Sequence, residues 1–268
     1  MTGDQRNNIR TAAQSQPVFS RGIVAGIIAI VAVIVLVFIM LLTMSGSSSG
    51  TNNAAPVQVT QTTVVPATPQ KSSRPAVDLY VMSFCPYGVQ AETAMKPVVA
   101  LLGTKADFSV HYITSVKNST VEGIRSLHGI EEAKEDLRQL CVMKYYPDKF
   151  WSYIEGINAQ CYPGSREPAV LDQCWRNVSV PLGIDAEKVT SCAYSSEGIS
   201  MIKDDERITT EKQITGSPTL LINGQTYAGQ RTPEAYKLAI CTSFESLPVE
   251  CNTVLTTQQA GQAAGACG

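Results

Sequence analysis

Charge is what this sequence has least of. Only 16% of its 268 residues are Asp, Glu, Lys or Arg, against about 25% in an ordinary soluble domain. The deficit sits at one end. Residues 1–76 carry only Asp4, Arg6, Arg10, Arg21, Lys71 and Arg74, whereas residues 77–268 carry 16 basic and 22 acidic side chains, a formal net charge of −6. Without a basic footprint, nucleic-acid binding is excluded as a function class. Histidine is scarcer still, with His111 and His128 alone, and no two of the eight cysteines stand within four residues of each other. Structural zinc sites draw on closely spaced Cys and His ligands, so no metal is expected, and no motif asks for an organic cofactor. All eight cysteines lie in residues 77–268, a stretch too long to need disulfides in place of a core. They point to an oxidising compartment, to thiol chemistry, or to both.

One long apolar run is present. Ile23 to Leu42 are twenty residues without a charge, which at roughly 1.5 Å per residue span about 30 Å, the thickness of a bilayer core. The run exceeds the h-region of a signal peptide, so a transmembrane helix is expected over residues 22–44. Arg6, Arg10 and Arg21 precede it and the next positive charge is Lys71. The positive-inside rule then makes residues 1–21 cytoplasmic and the C-terminal part extracytoplasmic. The expected location is the cell membrane, with a single pass. Residues 45–76 are rich in Ser, Thr and Pro and read as a flexible tether. Residues 77–254 read as one folded domain and 255–268 as a flexible tail. The sequons Asn118-Ser119-Thr120 and Asn177-Val178-Ser179 are compatible with an external location.

Within the domain the pattern alternates between strand and helix, an α/β class. Val77–Met82 is a buried strand, and Pro86 to Leu102 a helix with proline in its first turn. Phe108 to Val116 alternates as a second strand. Residues 122–213 have helical spacing, broken at Pro147, at Tyr162-Pro163-Gly164 and at Pro181-Leu182-Gly183. Thr219–Ile222 is a strand, Asn223-Gly224 a hairpin turn and Gln225–Tyr227 the returning strand. Thr232 caps a last helix that starts with Pro233 and runs to about Phe244. His111, Trp151 and Trp175 read as structural, and the acidic residues Glu131, Glu132, Glu135 and Asp136 as a solvated helix face.

Cys85 stands after a buried strand and at the start of a helix, in Ser83-Phe84-Cys85-Pro86-Tyr87-Gly88. A helix N-terminus stabilises a thiolate, and the thiolate is the attacking species in disulfide exchange. A buried, inert cysteine is the alternative. Gly216-Ser217-Pro218-Thr219 precedes the hairpin, in an overall order of β-α-β, helical block, β-β-α. With these features the chain resembles the thioredoxin-like superfamily. The resemblance implies a thioredoxin-like fold with an inserted helical subdomain over about 122–213. It also implies a cis-proline loop facing Cys85, and a substrate groove formed by Pro86, Tyr87, Ser217 and Pro218. The segment His128 to Cys141 further resembles the signature of the gamma-interferon-inducible lysosomal thiol reductase family. His128, Gly129, Glu132 and Cys141 match in register, while Ser126, Ala133 and Asp136 depart from it. Cys161, Cys174, Cys192, Cys241 and Cys251 follow in the same order, so the resemblance covers about residues 77–251. In that setting His128 is expected to pack or hydrogen-bond at a helix start.

Gly88 departs from the Cys-x-x-Cys of dithiol reductases: it stands in place of the resolving cysteine. The reading is therefore a membrane-anchored, extracytoplasmic thiol–disulfide oxidoreductase or isomerase working through the single nucleophile Cys85. Its expected partners are extracytoplasmic cysteine-containing proteins and an electron-transfer partner of open identity. The alternative is a non-catalytic thioredoxin-like binding or chaperone module. Cys141, Cys161, Cys174, Cys192, Cys241 and Cys251 read as structural disulfides, with fifteen connectivities open. Cys241 and Cys251 are the favoured pair, being ten apart. Cys267 lies about fifteen residues beyond Cys251, a reach of roughly 20–25 Å. It can act as a distant resolving thiol for Cys85, or stay a free tail thiol, or pair between molecules.

Overall fold

The computed structural model describes residues 70–162, 167–259 and 265–268. The transmembrane helix expected over 22–44, the segment 1–21 and most of the tether lie outside the described residues. Among the described residues no helix is long and apolar enough to cross a membrane.

The central strand is β1 (Ala76–Val81). It pairs in parallel with β2 (Asp107–Tyr112) and antiparallel with β5 (Thr219–Ile222), which pairs in turn with β6 (Gln225–Thr226), so the sheet order is β2-β1-β5-β6. Alternation along a strand sends successive side chains to opposite faces. The register places Val77 beside Phe108 and Ile222, and Leu79 beside Val110 and Leu220, which makes one face uniformly apolar and part of the core. On the other face Tyr80 stacks on His111, with ring centroids 5.0 Å apart. His111 Nδ1 lies 2.8 Å from Asp205 Oδ1, and the Tyr112 N–H donates to Asp205 Oδ2 at 2.8 Å. The Asn223-Gly224 turn between β5 and β6 has φ of 48° and 76°, the left-handed pair that a two-residue hairpin needs.

The predicted strand Phe108 to Val116 ends early. Its partner β1 stops at Val81, and the last bond, from the Ile113 N–H to the Val81 carbonyl at 2.9 Å, closes the ladder. Ser115–Val116 instead forms β3, paired with β4 (Ile124–Arg125) in a separate two-stranded ladder. The predicted tether is also shorter than expected. Ser72 exchanges backbone hydrogen bonds of 2.9 Å with Ser243 and Glu245, and Arg74 pairs with Asp107. Residues 72–75 thus fold onto the domain.

The helix α1 (Pro86–Leu102) buries Ala91, Ala94, Met95, Val98 and Leu102. It packs on α7 (Pro233–Thr242), which Thr232 caps by accepting from the Ala235 N–H at 3.1 Å. Between β4 and β5 the helical insertion comprises α2 (Ile130–Tyr145), α3 (Phe150–Gly156), α4 (Pro168–Ser179), α5 (Ala186–Ala193) and α6 (Ser196–Glu211). A π-turn, Ile157–Cys161, continues α3. Gly183 ends the segment after α4 at φ 63°, and Ser195 separates α5 from α6 by capping the Glu197 N–H. Disulfides tie these elements: Cys141–Cys192 joins α2 to α5, Cys161–Cys174 joins the π-turn to α4, and Cys241–Cys251 joins α7 to the turn Val249–Asn252. In a chain-entropy model the first, closing 51 residues, contributes about 4 kcal/mol, against about 3 kcal/mol for each of the two short loops.

Glu92 on α1 is buried against the insertion. One of its carboxyl oxygens accepts from Asn158 Nδ2 at 2.7 Å, and burial pushes its pKa from 4.5 up to about 8, the nearby Glu135 carboxylate adding to the rise. The folded chain therefore keeps a proton that the unfolded chain releases above pH 4.5. Stability falls as pH rises through that window, by at most about 1.4 kcal/mol per unit. Glu92→Gln retains the Asn158 contact without the proton, so the slope of melting temperature against pH flattens between 4.5 and 8. An unchanged slope in thermal melts would mean that Glu92 is ionised in the fold.

Candidate active site

β1 carries the chain to Met82, and a turn closed by the Cys85 N–H to the Met82 carbonyl, 3.0 Å, sets Cys85 as the N-cap of α1. No side chain caps this helix, and its first turn holds no acidic residue. The partial positive charge of the helix end is therefore left for the sulfur to use. Cys85 is fully buried, in a small cluster with Met82, Cys267, Tyr87 and Ile113.

Two carboxylates from α2 hold the loop ahead of the cysteine. Glu132 Oε1 accepts from the Phe84 N–H at 2.7 Å, and Asp136 Oδ1 accepts from the Ser83 N–H at 3.2 Å and from the Ser83 hydroxyl. Glu132 also takes the His128 N–H at 2.9 Å and the Ser126 hydroxyl at 2.5 Å, and its Oε1 lies 2.8 Å from His128 Nδ1. Burial, and then the Glu132 carboxylate beside it, hold Asp136 well above the usual carboxylate range. This corrects the solvated acidic face expected for α2. Glu132, Glu135 and Asp136 are buried, and Glu135 meets Arg138 Nε at 2.8 Å. Their spacing carried a signal: Glu132 and Asp136 stand four apart, on one helix face, below the matched His128.

The loop that faces Cys85 comes from the other side of β1. The antiparallel register pairs Tyr80 with Thr219, so the next residues back, Ser217 and Pro218, reach the level of Met82. The Ser217–Pro218 peptide bond is cis. Ser217 Oγ accepts from the Met82 N–H at 2.9 Å, and the Ser217 carbonyl oxygen lies 3.4 Å from Cys85 Sγ. Gly88 fits beneath that hydroxyl. A Cβ at position 88 would stand 2.8 Å from Ser217 Oγ and 3.1 Å from the Met82 carbonyl oxygen. The site is filled where a second cysteine of a Cys-x-x-Cys pair would project.

A second sulfur arrives from elsewhere. Cys267 is disulfide-bonded to Cys85, with Cα atoms 6.1 Å apart and 182 residues between them in sequence. The segment bearing it pairs as an antiparallel bridge with Ser217: the Ser217 N–H donates to the Cys267 carbonyl at 2.7 Å and the Cys267 N–H to the Ser217 carbonyl at 2.8 Å. Residues 265–268 of the tail are thus docked, with Cys267 only 9% exposed. Among the described residues, which include all eight cysteines, no cysteine is free. The structure brings Cys85, Pro86, Tyr87, Ser217, Pro218 and Cys267 to one place and sends the other six cysteines to the three disulfides described above. Trp175 is buried in the core and Trp151 packs against it.

The family model described as the vacuolar sorting receptor thioredoxin-like domain matches residues 107–241. Vacuolar-sorting receptor 1 of Pisum sativum is 30% identical over 129 residues, which cover 44% of this chain and 20% of that protein. The chain spans about a fifth of the length of the curated relatives it matches. Among solved structures, MdbA, a thiol-disulfide oxidoreductase from Actinomyces oris, aligns with a TM-score of 0.51 at 15% identity, covering 65% of this chain and 83% of that one. Oxidised BdbD from Bacillus subtilis aligns with a TM-score of 0.50 at 16% identity, covering 65% and 90%. The fold is thioredoxin-like, with helices and sheet arranged as in these proteins.

The contact between Gly88 and Ser217 is measurable. Helix propensity alone favours Gly88→Ala by about 1 kcal/mol. The close approach to Ser217 Oγ and the Met82 carbonyl reverses the sign, so Gly88→Ala destabilises by about 1–2 kcal/mol. Ser217→Ala orphans the Met82 N–H and costs about 1–3 kcal/mol. Denaturant melts of the double variant should show less than the sum of the two costs. Strict additivity would show that the two positions do not touch.

Proposed function

The chain belongs to the vacuolar sorting receptor thioredoxin-like domain family, and from that premise we propose that it is a thiol–disulfide oxidoreductase or isomerase with Cys85 as its nucleophile and Cys267 as its resolving partner. The observation that carries this reading is the buried Cys85–Cys267 disulfide set against the Ser217–Pro218 loop. The uncapped end of α1 supports a thiolate at Cys85. The resemblance of the His128–Cys141 segment to the gamma-interferon-inducible lysosomal thiol reductase signature supports thiol chemistry. The apolar run over 22–44 and the arginines ahead of it support a membrane anchor with the domain outside. Cysteine-containing extracytoplasmic proteins are the matching substrates.

The chemistry balances with two sulfurs on each side. In the oxidised chain a substrate thiolate attacks Cys85 Sγ, forms a mixed disulfide and releases Cys267 as a thiolate. A second thiolate of the same substrate then attacks the substrate sulfur of that mixed disulfide and releases Cys85 as a thiolate. Two electrons pass from the substrate dithiol to the cysteine pair. Run in reverse, Cys85 opens a substrate disulfide, Cys267 attacks Cys85 and frees the reduced substrate, and an external dithiol protein resets the pair. Isomerisation uses the Cys85 thiolate alone and moves no net electrons.

A second reading is favoured by one observation. The family match begins at residue 107, after Cys85, and the relatives are named as sorting receptors. A binding module would use the same groove without turnover.

Trapping separates the two readings. In the reduced full-length chain, Cys267→Ser is expected to accumulate mixed disulfides with secreted proteins and Cys85→Ser to yield none. The rate of Cys85 alkylation against pH should give a value at least one unit below the ordinary thiol's, about 8.5. Equal trapping by both variants, or an ordinary pKa, would leave the binding module as the better reading.

A further inference from the structure

Residues 265–268 occupy the cleft as a peptide would. Their backbone adds to the edge beside Pro218 through the two Ser217 hydrogen bonds, 2.7 and 2.8 Å, the arrangement by which an extended strand is held irrespective of its side chains. Side chains are selected around that strand. Two residues before the cysteine, Gly265 lies against the Tyr87 ring, and a Cβ there would stand 2.3 Å from Tyr87 Cζ and 2.7 Å from its hydroxyl oxygen. Ala266 passes Gly216, where a Cβ would already stand 3.6 Å from the Cys267 carbonyl oxygen and 3.8 Å from the Ala266 methyl. One residue after the cysteine, Gly268 has φ of 128°, and a Cβ there would run into the Thr215 carbonyl oxygen. The sulfur itself packs among Met82, Tyr87 and Ile113.

We propose that residues 265–268 are a tethered pseudosubstrate, and that the cleft takes extended polypeptide segments whose cysteine has glycine two positions before it and glycine immediately after. This rests on the thiol-exchange reading of Cys85. The tether gives Cys267 an effective concentration on the order of millimolar at Cys85. External segments reach the sulfur only by displacing the tail, so a matching strand is needed and an accessible cysteine is not enough. Tyr87 and the Thr215–Gly216 backbone are the specificity-determining groups.

The test uses the full chain carrying Cys267→Ser, reduced, and three peptides: Gly-Ala-Cys-Gly, Leu-Ala-Cys-Gly and Gly-Ala-Cys-Leu. Each peptide is supplied as a mixed disulfide with thionitrobenzoate. Cys85 thiolate attacks the peptide sulfur, the peptide becomes bonded to Cys85, and the coloured thionitrobenzoate leaves with the electron pair. The first peptide is expected to react roughly tenfold faster than either of the others. Tyr87→Ala should shrink the advantage over Leu-Ala-Cys-Gly and leave the advantage over Gly-Ala-Cys-Leu in place. Equal rates for all three peptides would overturn the pseudosubstrate while leaving thiol exchange intact. Failure of Cys85 to react with any peptide, or with the uncoupled aromatic disulfide, would remove the underlying reading and the pseudosubstrate with it. Competition gives a second measurement: in the otherwise unaltered chain, Gly265→Leu should expose Cys85 to alkylation at a dithiol concentration about tenfold lower. No change in that concentration counts against a docked, selective tail.

Discussion

The site depends on one register, the antiparallel pairing of β1 with β5. Because Leu79 faces Leu220 and Tyr80 faces Thr219, the chain leaving β1 toward Cys85 runs beside the chain entering β5 from Ser217. The Met82 N–H bond to Ser217 Oγ continues the contact past the end of the ladder. A slip by one residue would reverse which side chains face the core and would separate Ser217 from Met82. The sulfur, the loop that faces it and the Ser217 backbone groups that hold Cys267 are therefore set together. The apolar face of the sheet enforces this by having only one way to be buried.

Around that register two supports act on the Ser83–Cys85 turn. The helix α1 grips it from its C-terminal side, with Pro86 filling the first turn. The insertion grips it from the side through Glu132 and Asp136. Burying carboxyl groups is costly unless their oxygens are used; both Glu132 oxygens and Asp136 Oδ1 are spent on backbone N–H groups and on Ser83, Ser126 and His128, while Asp136 Oδ2 is buried without a partner. The helical insertion thereby positions the loop from which Cys85 projects.

Much of this was legible in the sequence. Local chemistry marks the boundaries of α1, the Asn223-Gly224 turn and the Thr232-Pro233 helix start, and the structure finds them there. Cys85 between an apolar strand and a proline-led helix was visible for the same reason. What escaped were facts of tertiary contact. Four acidic residues in six look like a solvated face, because composition does not say which carboxyls find buried donors. The strand after Phe108 alternates beyond Tyr112, but its partner does not. The docking of residues 265–268 leaves no periodic trace, since small residues fit many settings and only the Tyr87 ring and the Thr215 carbonyl give these their meaning.

The Cys85–Cys267 disulfide also has a mechanical side. It closes a covalent ring through nearly the whole domain. Force applied ahead of β1 and resisted at Gly268, the residue after Cys267, would run along β1 and across the two sulfurs. That covalent path bypasses the insertion, α1 and α7. With the bond reduced, the same pull must travel through every element in turn. The oxidation state of one pair of sulfurs thereby decides which parts of the fold bear load.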